Sequence, residues 1–322
     1  MRIGLVCNPF SGGQNSFGKV LQLLQDKLVN HEVVCTYATS ILLPTQLPHK
    51  VVGDKKVHGT PIDSVIAGQI LSDVDLVIVL GGDGTISDVV FGQHLAGKFT
   101  PVAGIALGTI NAGPLIVFRK LDDLSKLSLE KFSTKPVMGL GVYDNDGQLV
   151  GIAFNDVVFS DCTVSSVNGK VCTVEAASYL KGKRLVASPK IVGTALTEVR
   201  INRKIVKIPF DVGQIVASPL HEPGIYQGKA LFGKLCWAPH LGMKWSMIVT
   251  NEPIIRIVDA HEVETSSPLL MAQFIFKDED SVLIKNTRGF VVIDGNPRLN
   301  MEVSKACTLR LIQNAALGCV FK

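Results

Sequence analysis

Apolar segments of strand length alternate with helical patterns in the N-terminal part of the chain. Residues 2–8, 75–80 and 100–107 are nearly continuous apolar runs, which are typical of strands buried on both faces. The helical pattern between the first two runs is carried by Val20, Leu21, Leu24 and Leu28, which share one helix face. Residues 40–59 follow neither period and are predicted to form a loop. The alternation favours an α/β domain whose parallel sheet is covered by helices on both faces.

The pattern changes after about residue 127, where short strand-like runs follow one another with few helices. One of these predicted strands is IIRIVDA at residues 254–260. Many short strands separated by turns predict an antiparallel, sandwich-like all-β domain. A length of 322 residues also favours two domains. We predict an α/β nucleotide-binding domain over residues 1–130, a β-rich substrate domain over 131–302, and a C-terminal segment, 303–322, that can return to the first domain.

The composition and the net charge of the chain limit the kinds of molecule that we expect it to bind. The net charge of +4 is mild, and the basic residues concentrated in 179–210 are interpreted as the solvated faces of strands or hairpins, with an anion-binding patch as the alternative. The chain has no basic motif with interleaved aromatic residues, so nucleic acid is not expected as a partner. No apolar segment approaches the length of a membrane span, so stable membrane association is not expected. A charged fraction of only 19% favours surface buried between subunits, which predicts a homo-oligomer, either a dimer or a tetramer.

The chain has seven cysteines, and none of them forms a Cys-x-x-Cys pair. The odd number argues against a disulfide scaffold, and the spacing argues against a zinc site. We therefore expect a protein of the reducing cytoplasm.

A glycine-rich turn, GGDGT at residues 81–85, stands between the apolar run 75–80 and a helical segment. Glycines at the carboxyl end of a parallel strand let backbone N–H groups approach an anion, and the start of the helix favours phosphate. Asp83 would repel that anion unless it holds Mg²⁺ or accepts a proton from an attacking hydroxyl group. The alternative is a tight turn in which Asp83 caps the helix.

A second polar turn follows the next apolar run and contains Gly108, Thr109 and Asn111. Thr109 and Asn111 offer neutral hydrogen-bonding groups for phosphate or ribose. Because the carboxyl ends of adjacent parallel strands face one crevice, we expect both turns to line the same ligand site.

Asn155 and Asp156 lie side by side within the apolar segment FNDVVF, residues 154–159. Burying an amide and a carboxylate without partners is costly. The pair therefore either ends a strand as turn formers or hydrogen-bonds the hydroxyl groups of a ligand.

Together these motifs resemble the superfamily that unites ATP-NAD kinases with diacylglycerol and sphingosine-type lipid kinases, whose shared signature is GGDGT. NPFSGG at 8–13 and GIALGTIN at 104–111 are similar to the lipid-kinase branch. Segments similar to NAD kinases follow in the same order as in that family: FNDVVF, GQIVASPLHEPGIY at 213–226, WAPHLGMKWSMIVTNEPIIRI at 237–257 and VVIDGNPR at 291–298.

Two departures from the NAD kinase pattern are visible. Ala106 stands where NAD kinases usually carry an asparagine, and Leu-His-Glu-Pro at 220–223 replaces a run of serine and threonine. The chain is therefore identified as a divergent member of the ATP-NAD kinase family, similar to relatives associated with acetoin catabolism.

The resemblance implies a kinase that transfers a phosphoryl group from ATP, or from polyphosphate, to the 2′-hydroxyl of NAD and so gives NADP, with Mg²⁺ as cofactor. It implies that Asp83 is the catalytic base or a Mg²⁺ ligand. Phosphate and nucleotide binding are expected from Gly81, Gly82, Gly84, Thr85, Gly108, Thr109 and Asn111. The acceptor is expected to contact Asn155, Asp156, Asp211 and Tyr226. The alternatives are a lipid kinase of the diacylglycerol or sphingosine type and a non-catalytic protein that senses NAD or nucleotides.

Overall fold

The computed structural model describes residues 1–8, 11, 14–54, 61–107, 111–167, 170–221, 241–258, 261 and 268–321. The strands described are β1 (Arg2–Cys7), β2 (Glu32–Thr36), β3 (Lys50–Val52), β4 (Leu76–Gly81), β5 (Val102–Ala106), β6 (Ile116–Phe118), β7 (Phe132–Tyr143), β8 (Leu149–Ala153), β9 (Val157–Ser160), β10 (Cys162–Val167), β11 (Lys170–Glu175), β12 (Gly193–Ile201), β13 (Lys204–Val206), β14 (Gln214–Pro219), β15 (Trp245–Thr250), β16 (Met271–Phe276), β17 (Ser281–Thr287), β18 (Phe290–Ile293), β19 (Asn296–Asn300) and β20 (Ala306–Phe321). The α-helices described are α1 (Gln14–Leu28), α2 (Tyr37–Ser40), α3 (Pro61–Ile70), α4 (Asp83–Leu95), α5 (Ala176–Leu180) and α6 (Met301–Ser304), with 3-10 turns at Leu71–Asp73 and Leu121–Lys126.

The chain divides into two compact units. The first comprises Met1–Met138 and Gln313–Lys322, and the second comprises Gly139–Ile312. The loop predicted over residues 40–59 is wrong in part, because β3 adds three residues to the edge of the sheet by pairing in parallel with β2.

A parallel sheet forms the centre of the first unit, with the strand order β3-β2-β1-β4-β5. Every neighbouring pair in this order is parallel, as the apolar runs predicted. β6 also pairs in parallel with β5, and Gly318 of β20 pairs with Val102. Because β2 flanks β1 on one side and β4 flanks it on the other, the order of strand addition reverses between β1 and β4. Ligands of open α/β sheets bind outside the carboxyl ends of the strands at such a reversal.

The helices of the first unit cover this sheet with apolar faces. The predicted face of α1 is buried, since Val20, Leu21, Leu24 and Leu28 all belong to the core of this unit. α4 approaches α3 backbone to backbone: a Cβ atom on Gly92 would lie 2.0 Å from the carbonyl oxygen of Val65. Such close packing fixes the position of α4, whose first residue is Asp83.

The second unit is built from antiparallel strands. One sheet has the order β16-β15-β14-β9-β18-β19, and a second places β12 between β13 and β17, with the first part of β20 beside β17. β7 and β8 form a hairpin, and β10 and β11 form another. One apolar core contains buried residues from both larger sheets, as in a sandwich.

The strand predicted at 254–260 is absent from the described part of that segment. The N–H groups of Ile254 and Ile255 instead donate to the side-chain oxygen of Gln214, at 3.0 and 2.7 Å. The buried side-chain amide of Gln214, on β14, therefore accepts hydrogen bonds that a neighbouring strand would otherwise accept. The described part of this segment is irregular for that reason.

The cysteines described by the structure carry free thiols, and most of them are buried. Burial raises the pKa of the Cys35 thiol to about 11 and that of the Cys319 thiol to about 12. Such thiols stay protonated near neutral pH, so they are poor nucleophiles and poor metal ligands. Within the described residues, no helix has both the length and the apolar character needed to cross a membrane.

Candidate nucleotide and acceptor sites

The GGDGT turn connects β4 to α4. Gly82 has an extended backbone and is the N-cap, so Asp83 is the first residue of the helix. A Cβ atom on Gly81 would lie 2.7 Å from the Cβ atom of Thr85, which explains one glycine by packing alone. The sequence alternative in which Asp83 caps its own helix does not describe this arrangement, because Gly82 occupies the capping position.

Asp83 is bonded to the second polar turn. Its side chain is 6% exposed. Its Oδ2 atom accepts a hydrogen bond from the N–H of Ala112 at 2.8 Å, and its Oδ1 atom accepts one from the N–H of Gly113 at 2.9 Å. Two backbone donors and the start of α4 all stabilise the negative charge of this carboxylate. The carboxylate therefore links the two predicted turns, and a Cβ atom on Gly113 would lie only 2.7 Å from Oδ1.

Arg119 holds the same turn from its carbonyl side. Its Nη1 atom donates to the carbonyl of Asn111 at 2.8 Å, and its Nη2 atom donates to that of Gly113 at 3.1 Å. Residues 111–113 are thus fixed between a carboxylate that accepts from N–H groups and a guanidinium that donates to carbonyl groups. Sequence reasoning missed Arg119, whose only signal was a basic residue directly after a short apolar run.

The carboxyl end of β1 also reaches the GGDGT turn. The Nδ2 atom of Asn8 donates to Thr85 Oγ1 at 2.8 Å, and the backbone N–H of Asn8 donates to Leu80 at 2.9 Å. The N–H of Leu107, just after β5, donates to the carbonyl of Gly81 at 2.9 Å. The structure thus brings the ends of β1, β4 and β5 together at the reversal of strand order.

The predicted residues Gly81 to Thr85 and Asn111 lie at this edge of the sheet. Gly108 and Thr109, which were predicted to line the same site, fall outside the described residues.

The described residues do not form a metal site built from protein ligands alone. Across the part of the chain that the structure describes, no group of three His, Cys, Asp or Glu side chains could hold a metal ion. Both oxygens of Asp83 already accept backbone hydrogen bonds. Mg²⁺ in phosphoryl-transfer sites is bound largely through substrate phosphates and water, with one or two carboxylates.

Asn155 and Asp156 lie in the turn between β8 and β9, which we call the 154–156 turn. Asp294 is buried beside this turn, with 7% exposure. Its carboxylate accepts hydrogen bonds from three consecutive N–H groups: those of Phe154 at 2.7 Å, Asn155 at 2.8 Å and Asp156 at 2.8 Å. The pair therefore ends a strand as turn formers, which was one of the two alternatives drawn from the sequence.

The side chain of Asn155 also bears on the ligand alternative. Asn155 is 8% exposed, and its Oδ1 atom is buried with no hydrogen-bond partner among the described residues. A buried acceptor that has no partner among the described residues is costly, and a bound ligand that donates a hydrogen bond to it would remove that cost.

The end of β14 and the divergent segment that follows it also hold the 154–156 turn. The hydroxyl group of Ser218 donates to the carbonyl of Asn155 at 2.5 Å. His221 Nε2 lies 2.9 Å from the carbonyl oxygen of Phe154, and because a carbonyl only accepts, this nitrogen carries the proton. His221 is one of the residues that depart from the NAD kinase pattern, and its contact gives that departure a structural role.

The remaining acceptor candidates are not joined to this turn by the contacts described. Asp211 is exposed in the loop before β14. Tyr226 falls outside the described residues.

The chain is similar to known proteins both in sequence and in fold. Residues 3–128 match the family model described as the ATP-NAD kinase N-terminal domain. An uncharacterised protein of Archaeoglobus fulgidus is 27% identical over 302 residues, covering 92% of both chains. An NAD kinase of Clostridium beijerinckii is 26% identical over 205 residues, covering 62% of this chain and 64% of that one. The crystal structure of a candidate diacylglycerol kinase from Bacillus anthracis aligns over 100% of this chain and 97% of its own, with 15% identity and a TM-score of 0.51.

The strand order, the GGDGT turn and the likeness to the Bacillus anthracis structure define a two-part fold: an α/β unit with a parallel sheet, and an antiparallel β unit. This confirms the predicted fold class. The match of residues 3–128 to the ATP-NAD kinase N-terminal domain confirms the resemblance stated from the sequence. The prediction of a kinase-like phosphotransferase is supported by the same matches.

Proposed function

We propose that this protein transfers a phosphoryl group from ATP to the 2′-hydroxyl of the adenosine ribose of NAD, giving NADP. The observation that carries the proposal is the GGDGT turn at the strand-order reversal of a domain that matches ATP-NAD kinases. The similarity to an NAD kinase of Clostridium beijerinckii supports NAD as the acceptor. Polyphosphate is the alternative donor.

The first unit supplies the groups that would bind the phosphates of the donor. The N-terminal end of α4 carries a partial positive charge and backbone N–H groups, which suit phosphate oxygens. Gly82, Gly84 and Thr85 lie at this end. Asn111, together with Gly108 and Thr109, would contact the nucleotide. The bonds of Asp83 and Arg119 to residues 111–113 would hold that turn in place while the nucleotide binds.

Asp83 is the proposed catalytic residue. It would accept the proton of the attacking hydroxyl group or hold that hydroxyl in line with the phosphoryl group. Phosphoryl transfer depends mainly on positioning and on charge neutralisation, and both demand a fixed carboxylate. Mg²⁺ that arrives with the nucleotide would neutralise phosphate charge.

The second unit supplies the groups that would bind the acceptor. The Oδ1 atom of Asn155, which has no partner among the described residues, fits a ribose hydroxyl group, which can donate to it. Asp156 would accept from a second hydroxyl or from the base. Asp211 and Tyr226 remain predicted contacts of the same acceptor. We further expect a cytoplasmic protein that forms a homo-oligomer, either a dimer or a tetramer. Light scattering after gel filtration would measure the molar mass and so the number of subunits.

The proposal is tested by incubating the protein with ATP, Mg²⁺ and one acceptor at a time: NAD, NADH, a diacylglycerol or a small polyol. Mass spectrometry then measures the gain of one phosphate, and parallel reactions replace ATP with polyphosphate. We expect the gain on NAD, at the 2′-hydroxyl. Gain on the diacylglycerol alone would identify a lipid kinase, and binding of NAD without any phosphorylated product would identify a sensor.

A further inference from the structure

Asp294 occupies a concavity made by backbone N–H groups. Three successive N–H groups of the 154–156 turn converge on its carboxylate, two on Oδ1 and one on Oδ2. Such converging amides form an anion-binding concavity, which here is filled by a side chain of the protein itself. The backbone N–H of Asp294 in turn donates to the carbonyl of Asp156 at 3.0 Å.

The hairpin that carries Asp294 does not require a carboxylate. Ile293 of β18 pairs with Asn296 of β19, so Asp294 and Gly295 form a two-residue turn. Their φ angles are 47° and 87°, and a turn with two positive φ angles accepts Asn-Gly as readily as Asp-Gly. What distinguishes aspartate from asparagine at this position is its second acceptor oxygen, and both oxygens are used by the 154–156 turn.

The backbone of the 154–156 turn is held from both sides. Asp294 binds its N–H groups, whereas Ser218 and His221 bind the carbonyl groups of Asn155 and Phe154. This leaves the side chain of Asn155 as a rigidly carried acceptor, with Oδ1 buried and without a partner in the described structure.

We propose that Asp294 is a positioning residue for the phosphate acceptor: it fixes the 154–156 turn so that Asn155 and Asp156 meet the ribose hydroxyl groups. This inference rests on the proposed function. In this role Asp294 acts through the turn and not by touching the substrate itself.

The test compares Asp294→Asn with Asp144→Asn. At position 294, an asparagine keeps the hairpin but turns one oxygen into a donor, which faces a backbone N–H and leaves it without an acceptor. At position 144, the N–H groups of Asp146 and Gln148 both bind the same oxygen, so an asparagine retains both bonds. The two variants therefore share a change of charge in a hairpin turn and differ in the loss of a hydrogen bond.

Two quantities are measured on the full chain. Hydrogen-exchange mass spectrometry follows the peptide that contains residues 154–156, and calorimetric titration gives the Kd for NAD and for ATP. We expect Asp294→Asn to speed exchange in that peptide and to raise the Kd for NAD about 10- to 100-fold, the equivalent of losing one or two hydrogen bonds to the acceptor. The Kd for ATP should stay unchanged, and Asp144→Asn should match the wild type in every measurement.

Faster exchange with an unchanged Kd for NAD would overturn the positioning role, and so would weaker NAD binding with unchanged exchange. A wild-type protein that binds no NAD would overturn the proposed function and with it the acceptor role of the turn. In that case the exchange rates would still decide whether Asp294 holds the backbone, so the two failures are distinguishable.

Discussion

Replacing Asp83 with asparagine separates the two tasks that its position suggests. In the wild type, the two carboxylate oxygens accept from Ala112 and Gly113, at 2.8 and 2.9 Å. Asparagine keeps one acceptor oxygen, and its amide nitrogen then faces a backbone N–H. Since this turn is buried, that N–H loses its partner without gaining water.

The expected loss of stability follows from that one orphaned donor. An unsatisfied buried polar group costs about 1–3 kcal/mol. For a chain of 322 residues, with an unfolding entropy of about 2.1 cal/mol/K per residue, a loss of about 2 kcal/mol corresponds to a fall in Tm of about 3 °C. The loss of a general base would separately lower kcat by about 10²–10⁴-fold.

The assay pairs thermal denaturation with steady-state kinetics for Asp83→Asn and for the control Asp75→Asn. Asp75 lies just before the other end of β4, and its carboxylate also accepts from a backbone N–H, that of Arg2, but at an exposed position. We expect the control to keep nearly the wild-type Tm and kcat. An unchanged Tm in Asp83→Asn would refute the link between the turns, and an unchanged kcat would refute the catalytic role.

Further predictions address the 111–113 turn and the buried thiols. Arg119→Met removes donors to that turn and should raise KM for ATP about tenfold, the equivalent of one hydrogen bond to a charged group; an unchanged KM for ATP in initial-rate kinetics would contradict this. Gly113→Ala should lower the free energy of unfolding in urea by about 1–3 kcal/mol, because the added methyl group overpacks against Asp83. Gly18→Ala in α1, where a Cβ atom meets nothing within 4 Å, should raise it by about 0.5–1 kcal/mol. Urea midpoints of both variants equal to that of the wild type would contradict these expectations. Burial raises the pKa of Cys35 from its ordinary 9.0 to about 11. The stability that the protonated thiol contributes is therefore complete below pH 9 and is lost as the pH rises towards 11, at about 1.4 kcal/mol per pH unit. Urea titrations across this range should show that the free energy of unfolding falls less steeply with pH in Cys35→Ala than in the wild type.

The parallel sheet was predictable because burial on both faces leaves a strong signal in the sequence. β4 and β5 are apolar throughout, and the glycine turn after β4 marks its end. The irregular segment at 254–258 was not predictable, since its apolar residues suit a strand. Its backbone donors bind Gln214, which lies 40 positions away in sequence. No local pattern encodes such a contact.

The same reason limits what the sequence reveals of the candidate sites. The residue types and the two turns could be identified, because glycine, asparagine and aspartate stand out within apolar runs. The partners could not, since Asp83 binds backbone N–H groups 29 and 30 positions away, and Asp294 binds those of 154–156 from 138 to 140 positions away. Every residue but proline carries an N–H group, so the partners of a carboxylate leave no trace in the residue types.

The two proposed roles of Asp83, proton acceptance and positioning, make different demands on its carboxylate. Two backbone hydrogen bonds fix it in place, as a positioning role requires, whereas a general base must also take up a proton. If proton acceptance dominates, Asp83→Asn should lower kcat while Arg119→Met leaves it intact, because Arg119 reaches only the carbonyl groups of the 111–113 turn. If positioning dominates, both variants should raise KM for ATP and lower kcat together, since both loosen the same turn. The comparison therefore assigns the acid of GGDGT to chemistry or to geometry without assuming which hydroxyl group it serves.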